Sequence, residues 1–404
     1  MHVNNVIHDT EVQKYINKLI DFFGLLTIEK CLEKYQDSLD CSGPVYKRYY
    51  LKLRHPWWKS FIYYFELKRK GKSIRKNLDL RLKNLASDGK KISVLKSLMP
   101  SKVRDKFKKD LLDEKRAYDF LYELDIAWHY YINDHQITWY EEDGKPDFLA
   151  EGPELAFNVE CKRITVDSSR KIWRKDLYRF VEKLLPEIEK LKLKGSINLI
   201  LNSRLHSNDT YIQQLADQII EVVKNNGHSG NFGLPQGEVN LNLKEANLES
   251  VDLKNKQQEM WNNKPHESHG VIYASDYKGK PVDAIEFLIS SKKADKVLEG
   301  IKDKIKDAAI RQIPKDKPGV VSCFLENIAD LTNLASDSGL QLMANYLLDK
   351  EELSHIAAIA FCAEQRVQIE ESGVEKFNSQ GLLFRNAYCS FENAKDYQYL
   401  SAEI

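Results

Sequence analysis

The sequence predicts an α/β protein in three parts: a basic, mainly helical region over residues 1–115, a central unit of helices and strands over 116–290, and an α/β extension over 291–404. Three observations predict it. Apolar residues recur at helical spacing in the first part, as in VQKYINKLIDFFGLLTIEKCLEKY. Three short β-rich runs separated by Gly/Pro turns then follow the helical pattern EKRAYDFLYELDIAWHYYIND. From Ala294 onward, helix and strand patterns alternate, as expected of elements that extend a sheet or build a second layer.

In the first part Pro44, Pro56 and Pro100 separate the helical stretches. The run RHPWWKSFIYYFELKRKGK interleaves aromatic residues with cations. Such a run can stack bases, but at helical spacing Trp57, Trp58, Tyr63 and Tyr64 read as packing residues. Between Pro44 and Arg116 there are 23 Lys and Arg against 7 Asp and Glu, a local balance of +16 in a chain of net charge +1. The rest of the chain therefore carries −15. Clustered cations gain from counterion release on a polyanion, so a nucleic-acid partner is expected, with Lys68, Arg69, Lys70 and Lys72 among the contacts. The alternative is a helical domain whose lysine faces are simply solvated.

In the central unit, QITWYEE, the turn DGKP, DFLAE, the turn GPE and LAFNVECKRITV read as a three-stranded meander. A long amphipathic helix is expected from Ser169 to about Leu193, followed by the apolar strand SINLILNSRL. That completes helix, three strands, helix, strand. Asn240 to Lys264 is polar enough for an excursion loop.

Several classes are disfavoured. The opening MHVNNVIHDTEVQKY has no apolar h-region and no apolar run approaches about 18 residues, so neither a signal peptide nor a membrane partner is expected. Cys31, Cys41, Cys161, Cys323, Cys362 and Cys389 form no CxxC pair, which fits a reducing, cytoplasmic setting. There is no GxxxxGK[ST], GxGxxG or GxSxG. His266 and His269 lack upstream partners and read as a solvated loop.

The chemistry lies in KPDFLAEGPELAFNVECKRI. Alternation in the last strand puts Phe157, Val159 and Cys161 on one face and Asn158, Glu160 and Lys162 on the other. Asp147 follows Pro146, whose missing N–H suits a strand start, and a short hairpin can bring Asp147 beside Glu160. Two adjacent carboxylates resist ionisation unless a cation compensates, and Mg²⁺ does so with oxygen ligands and water. Lys162 can orient or deprotonate that water, or neutralise a phosphate. An acid two residues before a lysine is common here, as in Glu66/Lys68 and Asp276/Lys278. The Pro-Asp pair is what discriminates: of 11 prolines only Pro146 is followed by Asp. The competing structural reading is a hairpin with a cross-strand salt bridge.

Set between two helices, PDFLAEGPELAFNVECK resembles the PD-(D/E)XK nuclease superfamily, the restriction-endonuclease-like fold, over residues 117–205. The resemblance implies Asp147, Glu160 and the backbone carbonyl of Cys161 as metal ligands and Lys162 as the catalytic lysine. It makes Glu123 the helix acid that completes the metal site or holds its water. Arg170 and Arg174, spaced i,i+4 on the next helix, are the expected phosphate contacts. It implies a Mg²⁺-dependent endonuclease, with Mn²⁺ as substitute, acting on DNA, with restriction, anti-phage defence, and repair or recombination all open and defence favoured by analogy. Double-strand cleavage would call for a homodimer, and the C-terminal extension could serve a regulatory protein partner. The reading from another class is a nucleic-acid-binding scaffold with a degenerate nuclease core.

Overall fold

The amphipathic N-terminal sequence folds as α1 (Val12–Phe23), α2 (Leu25–Asp40), α3 (Pro44–Tyr49), α4 (Trp58–Arg69), α5 (Leu80–Leu95) and α6 (Ser101–Asp110). These come from a computed structural model that describes residues 7–51, 54–142, 144–165, 167–263, 268–326, 339–363, 366–369, 375–378 and 381–400. In α1 the buried positions Val12, Ile16, Leu19, Phe22 and Phe23 fall on one face, and the helix stops at Gly24, whose φ of 87° few other residues adopt. Asp79 caps α5, its side chain accepting the Leu82 N–H at 3.1 Å. Helices α1 and α5 touch closely at Gly89, where a Cβ would lie 2.3 Å from the Tyr15 carbonyl oxygen. Trp57, Trp58 and Tyr64 are core, and Trp57 Nε1 donates to Asp88 at 2.8 Å. Tyr63 is half-buried beneath the Arg81 guanidinium.

Helix α7 (Ala117–Ile132) leads into β1 (Gln136–Trp139), β2 (Phe148–Glu151) and β3 (Ala156–Ile164). Next come α8 (Arg174–Lys190), β4 (Leu193–Leu201), α9 (Asp209–Asn225), β5 (Ser229–Leu234) and β6 (Gly237–Glu245). They are followed by α10 (Leu253–Asn263), β7 (His269–Tyr277) and β8 (Lys280–Ser291). Then come α11 (Val297–Arg311), β9 (Gly319–Leu325), α12 (Gly339–Leu348), β10 (Ile356–Ala363), β11 (Arg366–Ile369), β12 (Glu375–Asn378) and β13 (Gly381–Arg385). No helix among the described residues is long and apolar enough to cross a membrane.

The chain divides into two units: residues 1–37, 54–168 and 298–404 form one, and 38–53 with 169–297 the other. These units do not follow the expected cuts at 115/116 and 290/291: residues 54–115 of the basic region share a unit with the C-terminal strands, whereas 38–53, with α3, belong to the other. That first unit holds a mixed sheet in the order β1-β2-β3-β9-β10-β13. The meander β1–β3 is antiparallel, β9 lies parallel to β3 with Glu160 opposite Val321, and β10 lies parallel to β9. Strand β9 is almost wholly buried, as an interior parallel strand must be.

The second unit has its own five-stranded sheet, β5-β6-β4-β8-β7. Ile197, Leu199, Leu201, Val239, Leu241 and Phe287 form one apolar core with α8 and α9. Two expectations are corrected here. SINLILNSRL does not join the meander: with Ser196 and Asn198 opposite its apolar face, β4 suits a sheet covered on one side and pairs with β6 and β8. Residues 240–264 are not one loop, since they finish β6 and contain α10. His266 lies outside the described residues.

Candidate functional site

Strand β3 sits between an antiparallel and a parallel neighbour, so its backbone is fixed on both sides. Phe157, Val159 and Cys161 are buried on the face expected of them, and Glu160, on the other, is only 1% exposed. The antiparallel register places Phe148 opposite Val159 and lets the Asp147 N–H donate to the Val159 carbonyl at 3.1 Å. Asp147 Oδ2 then accepts the Cys161 N–H at 2.7 Å, which ties the start of β2 to the middle of β3. Lys162 Nζ donates to Glu160 Oε1. Glu160 Oε2 is buried with no hydrogen-bond partner.

The electrostatics show a group short of positive charge. Burial pushes Asp147 up to about 6, against the pull of the Cys161 N–H and then of Lys162 and Lys106. Burial, followed by the Asp147 charge, pushes Glu160 up to about 8. Glu123, half-buried on α7, is raised well above the ordinary carboxylate range by burial, then by Asp147 and Glu160. Burial opposes the charge of Lys162, but Glu160 and Asp147 outweigh it and hold the amine above its usual value. Three acids thus oppose one another's ionisation while a single lysine on the strand compensates them. A cluster perturbed by burial and by named charges is a candidate functional site. Glu123, Asp147, Glu160 and Lys162 lie within electrostatic reach of one another. The buried Cys161 thiol is in reach as well: burial, then Asp147, Glu123 and Glu160, push it up, while its backbone N–H binds Asp147.

A hard divalent cation fits this donor set. Glu160 Oε2 is an acceptor without a donor, and Asp147 uses one oxygen on the Cys161 N–H. Among the described residues no three His, Cys, Asp or Glu side chains converge as a ready-made cage. Mg²⁺ does not require one, because it keeps several waters and binds through one or two carboxylates.

Two features went unread in the sequence. Arg163, next to Lys162, bonds Asp119 of α7 at 3.1 Å, Glu326 beyond β9 at 2.9 Å and the Lys115 carbonyl at 3.3 Å. It clamps together the elements that carry the acids. Lys304 of α11 donates to the Arg163 carbonyl and to Ser168 Oγ, both at 3.3 Å, and burial lowers its pKa, as do the Arg163 and Lys162 charges. Only tertiary structure reveals either residue, since both look like ordinary surface cations in a chain with 61 Lys and Arg.

The other expected site residues are not gathered here. Helix α8 begins at Arg174, so Arg170 precedes it and the i,i+4 helical face does not exist. Arg170 instead pairs with Asp295 at 3.4 Å, and both arginines belong to the second unit. Lys68, Arg69, Lys70 and Lys72 are exposed at the end of α4 and just beyond it, where Lys70 pairs with Glu66 at 3.5 Å. Compared with known proteins, the chain matches no family model, no curated protein and no solved structure.

Proposed function

We propose that the chain is a metal-dependent nuclease of the PD-(D/E)XK kind, hydrolysing phosphodiester bonds in nucleic acid. The observation that carries the reading is the orphaned, buried Glu160 Oε2 inside a cluster of three acids and one lysine. The order of elements supports it. Helix α7, meander β1–β3, helix α11 and strand β9, with β9 parallel to β3, follow the helix, three strands, helix, strand of that fold. Residues 169–297 of the second unit would then be an insertion between β3 and α11, and β9 would fill the role expected of SINLILNSRL.

Asp147 and Glu160 would hold Mg²⁺, with the Cys161 carbonyl as the backbone ligand. When bound, the ion lowers the pKa of its water and offsets charge on the phosphate oxygens. Lys162, kept protonated by Glu160, serves as a cation facing the phosphate and not as a base. Burial and the charges of Asp147 and Glu160 raise Glu123 and favour its neutral form, and it would hold a water at the site. Arg163 positions β3 against α7 and the end of β9, and Lys304 is the cation of the following helix. DNA as substrate, and a setting in restriction or defence, follow from the resemblance alone.

The test is a substrate panel of single- and double-stranded DNA, RNA, and nicked and branched forms with Mg²⁺, Mn²⁺ or EDTA, run beside Asp147→Ala. Cleavage that requires the metal and fails in the variant is expected. Salt-sensitive binding with no cleavage of any substrate would overturn the reading in favour of a scaffold.

A further inference from the structure

Helix α6 carries its charges on two flanks. Val103, Phe107 and Asp110 are buried. At about 100° per residue, Lys106 falls on one side of that face and Arg104 with Lys108 on the other. Lys106 acts on the charges of Glu123 and Asp147. The opposite flank lines a cavity of about 380 Å³ with Lys96, Arg104, Lys108, Asp21, Asp105 and Phe22. Lys96, Arg104 and Lys108 are half-buried, whereas Asp21 and Asp105 are exposed. None of the three cations makes an ion pair among the described residues; Lys108 lies over the Phe22 ring, 5.0 Å from its centroid. Partly desolvated cations without ion-pair partners raise the affinity of a concave site for an anion.

We propose that this cavity binds a phosphate of the nucleic-acid backbone, some nucleotides away from the bond cut at the acid cluster. The proposal rests on the nuclease reading for its substrate. A helix with side chains is about 10–12 Å across, and each strand of a duplex carries a phosphate every ~3.4 Å of axis. A strand lying across α6 therefore places a phosphate in the cavity a few nucleotides from one beside Lys106. Guanidinium and ammonium groups together suit a phosphate, Arg by its fork and Lys as a point charge. The phenyl ring under Lys108 adds a cation–π contact that holds the amine in place.

The experiment uses the full chain in EDTA, so that no cleavage is needed. Binding of a short labelled DNA duplex is followed by fluorescence anisotropy across a salt series for the parent, Lys96→Gln/Arg104→Gln/Lys108→Gln, and the exposed control Lys30→Gln. Without the cavity's hold on one phosphate, binding should weaken and the log–log salt slope should fall by about 0.9, with the control unchanged. The charge-conserving Lys96→Arg/Lys108→Arg should keep the parent slope. In the parent, lysine acetylation read by mass spectrometry should find Lys96 and Lys108 protected by the duplex, which covers the case of a misfolded triple variant. An unaltered slope, or protection by inorganic phosphate but not by DNA, overturns the assignment. Cleavage that still depends on Asp147 beside an unaltered slope would sink the cavity proposal and leave the nuclease standing. A reduced slope in a protein that cuts nothing would do the reverse.

Discussion

Each unit has a buried acid–lysine group on its sheet, and the two have opposite electrostatic character. In the second unit Lys194 of β4 pairs with Glu249 at 2.5 Å and Asp283 at 3.4 Å. Asp283 accepts the N–H groups of Asn247, Leu248 and Glu249 at 3.2, 2.8 and 3.1 Å. Burial alone would raise its pKa, but those bonds and Lys194 hold it below the ordinary value, and they pin the residue at φ 51°. In the first unit the same residue types give raised carboxyls, at about 6 for Asp147 and about 8 for Glu160, and an acceptor without a donor. A satisfied network holds a fold together, whereas an unsatisfied one has capacity left for a ligand. Proximity of acid and lysine does not separate the two; hydrogen-bond accounting does.

The largest expected contrast is in catalysis. Asp147→Ala or Lys162→Ala should lower cleavage on the order of 10³-fold while the chain stays folded. Asp283→Ala should leave the rate per folded molecule unchanged. Next comes stability, where the order reverses. Removing Asp283 leaves three backbone N–H groups without their acceptor and should cost on the order of 2 kcal/mol in urea denaturation, whereas Glu160→Gln should cost nothing or stabilise.

The pH dependence should also differ in sign. Asp147 and Glu160 have raised folded pKa values, so between about pH 4 and about pH 8 the unfolded chain binds fewer protons than the folded one. Metal-free stability should therefore fall as pH rises through that window, and Glu160→Gln should flatten its upper part. Asp283 is depressed, so its contribution is present above the unfolded carboxylate value and lost as pH falls below about 4. Urea midpoints across the range, for parent and both variants, check the two slopes. Mg²⁺ must displace the retained protons, so cleavage should rise from about pH 6 to about pH 8. The smallest effect is expected from Arg163→Gln: about tenfold in kcat with KM little changed, and partial recovery in Arg163→Lys. Steady-state kinetics would show the split.

Local pattern made part of this legible. The alternation in LAFNVECKRI, the single Pro-Asp pair and the acid of α7 led to the residues that the structure gathers. Long-range pairing was not readable. Strand β3 finds its parallel neighbour β9 with residues 169–297 of the second unit intervening, and nothing local in GVVSCFL names its partner. An apolar strand such as SINLILNSRL reads the same in either sheet. Arg170 looked helical because its charge suited an amphipathic pattern, yet the helix starts four residues later. Lys106 and Lys304 needed tertiary structure to distinguish them from other lysines.

Mg²⁺-dependent cleavage, measured side by side for the parent, Asp147→Ala and Asp283→Ala and corrected for folded fraction, bears most directly on the difference between the two clusters. Loss in EDTA and in Asp147→Ala alone is the predicted result. Cleavage that persists in EDTA or in Asp147→Ala would contradict the assignment of the acid cluster as the metal site.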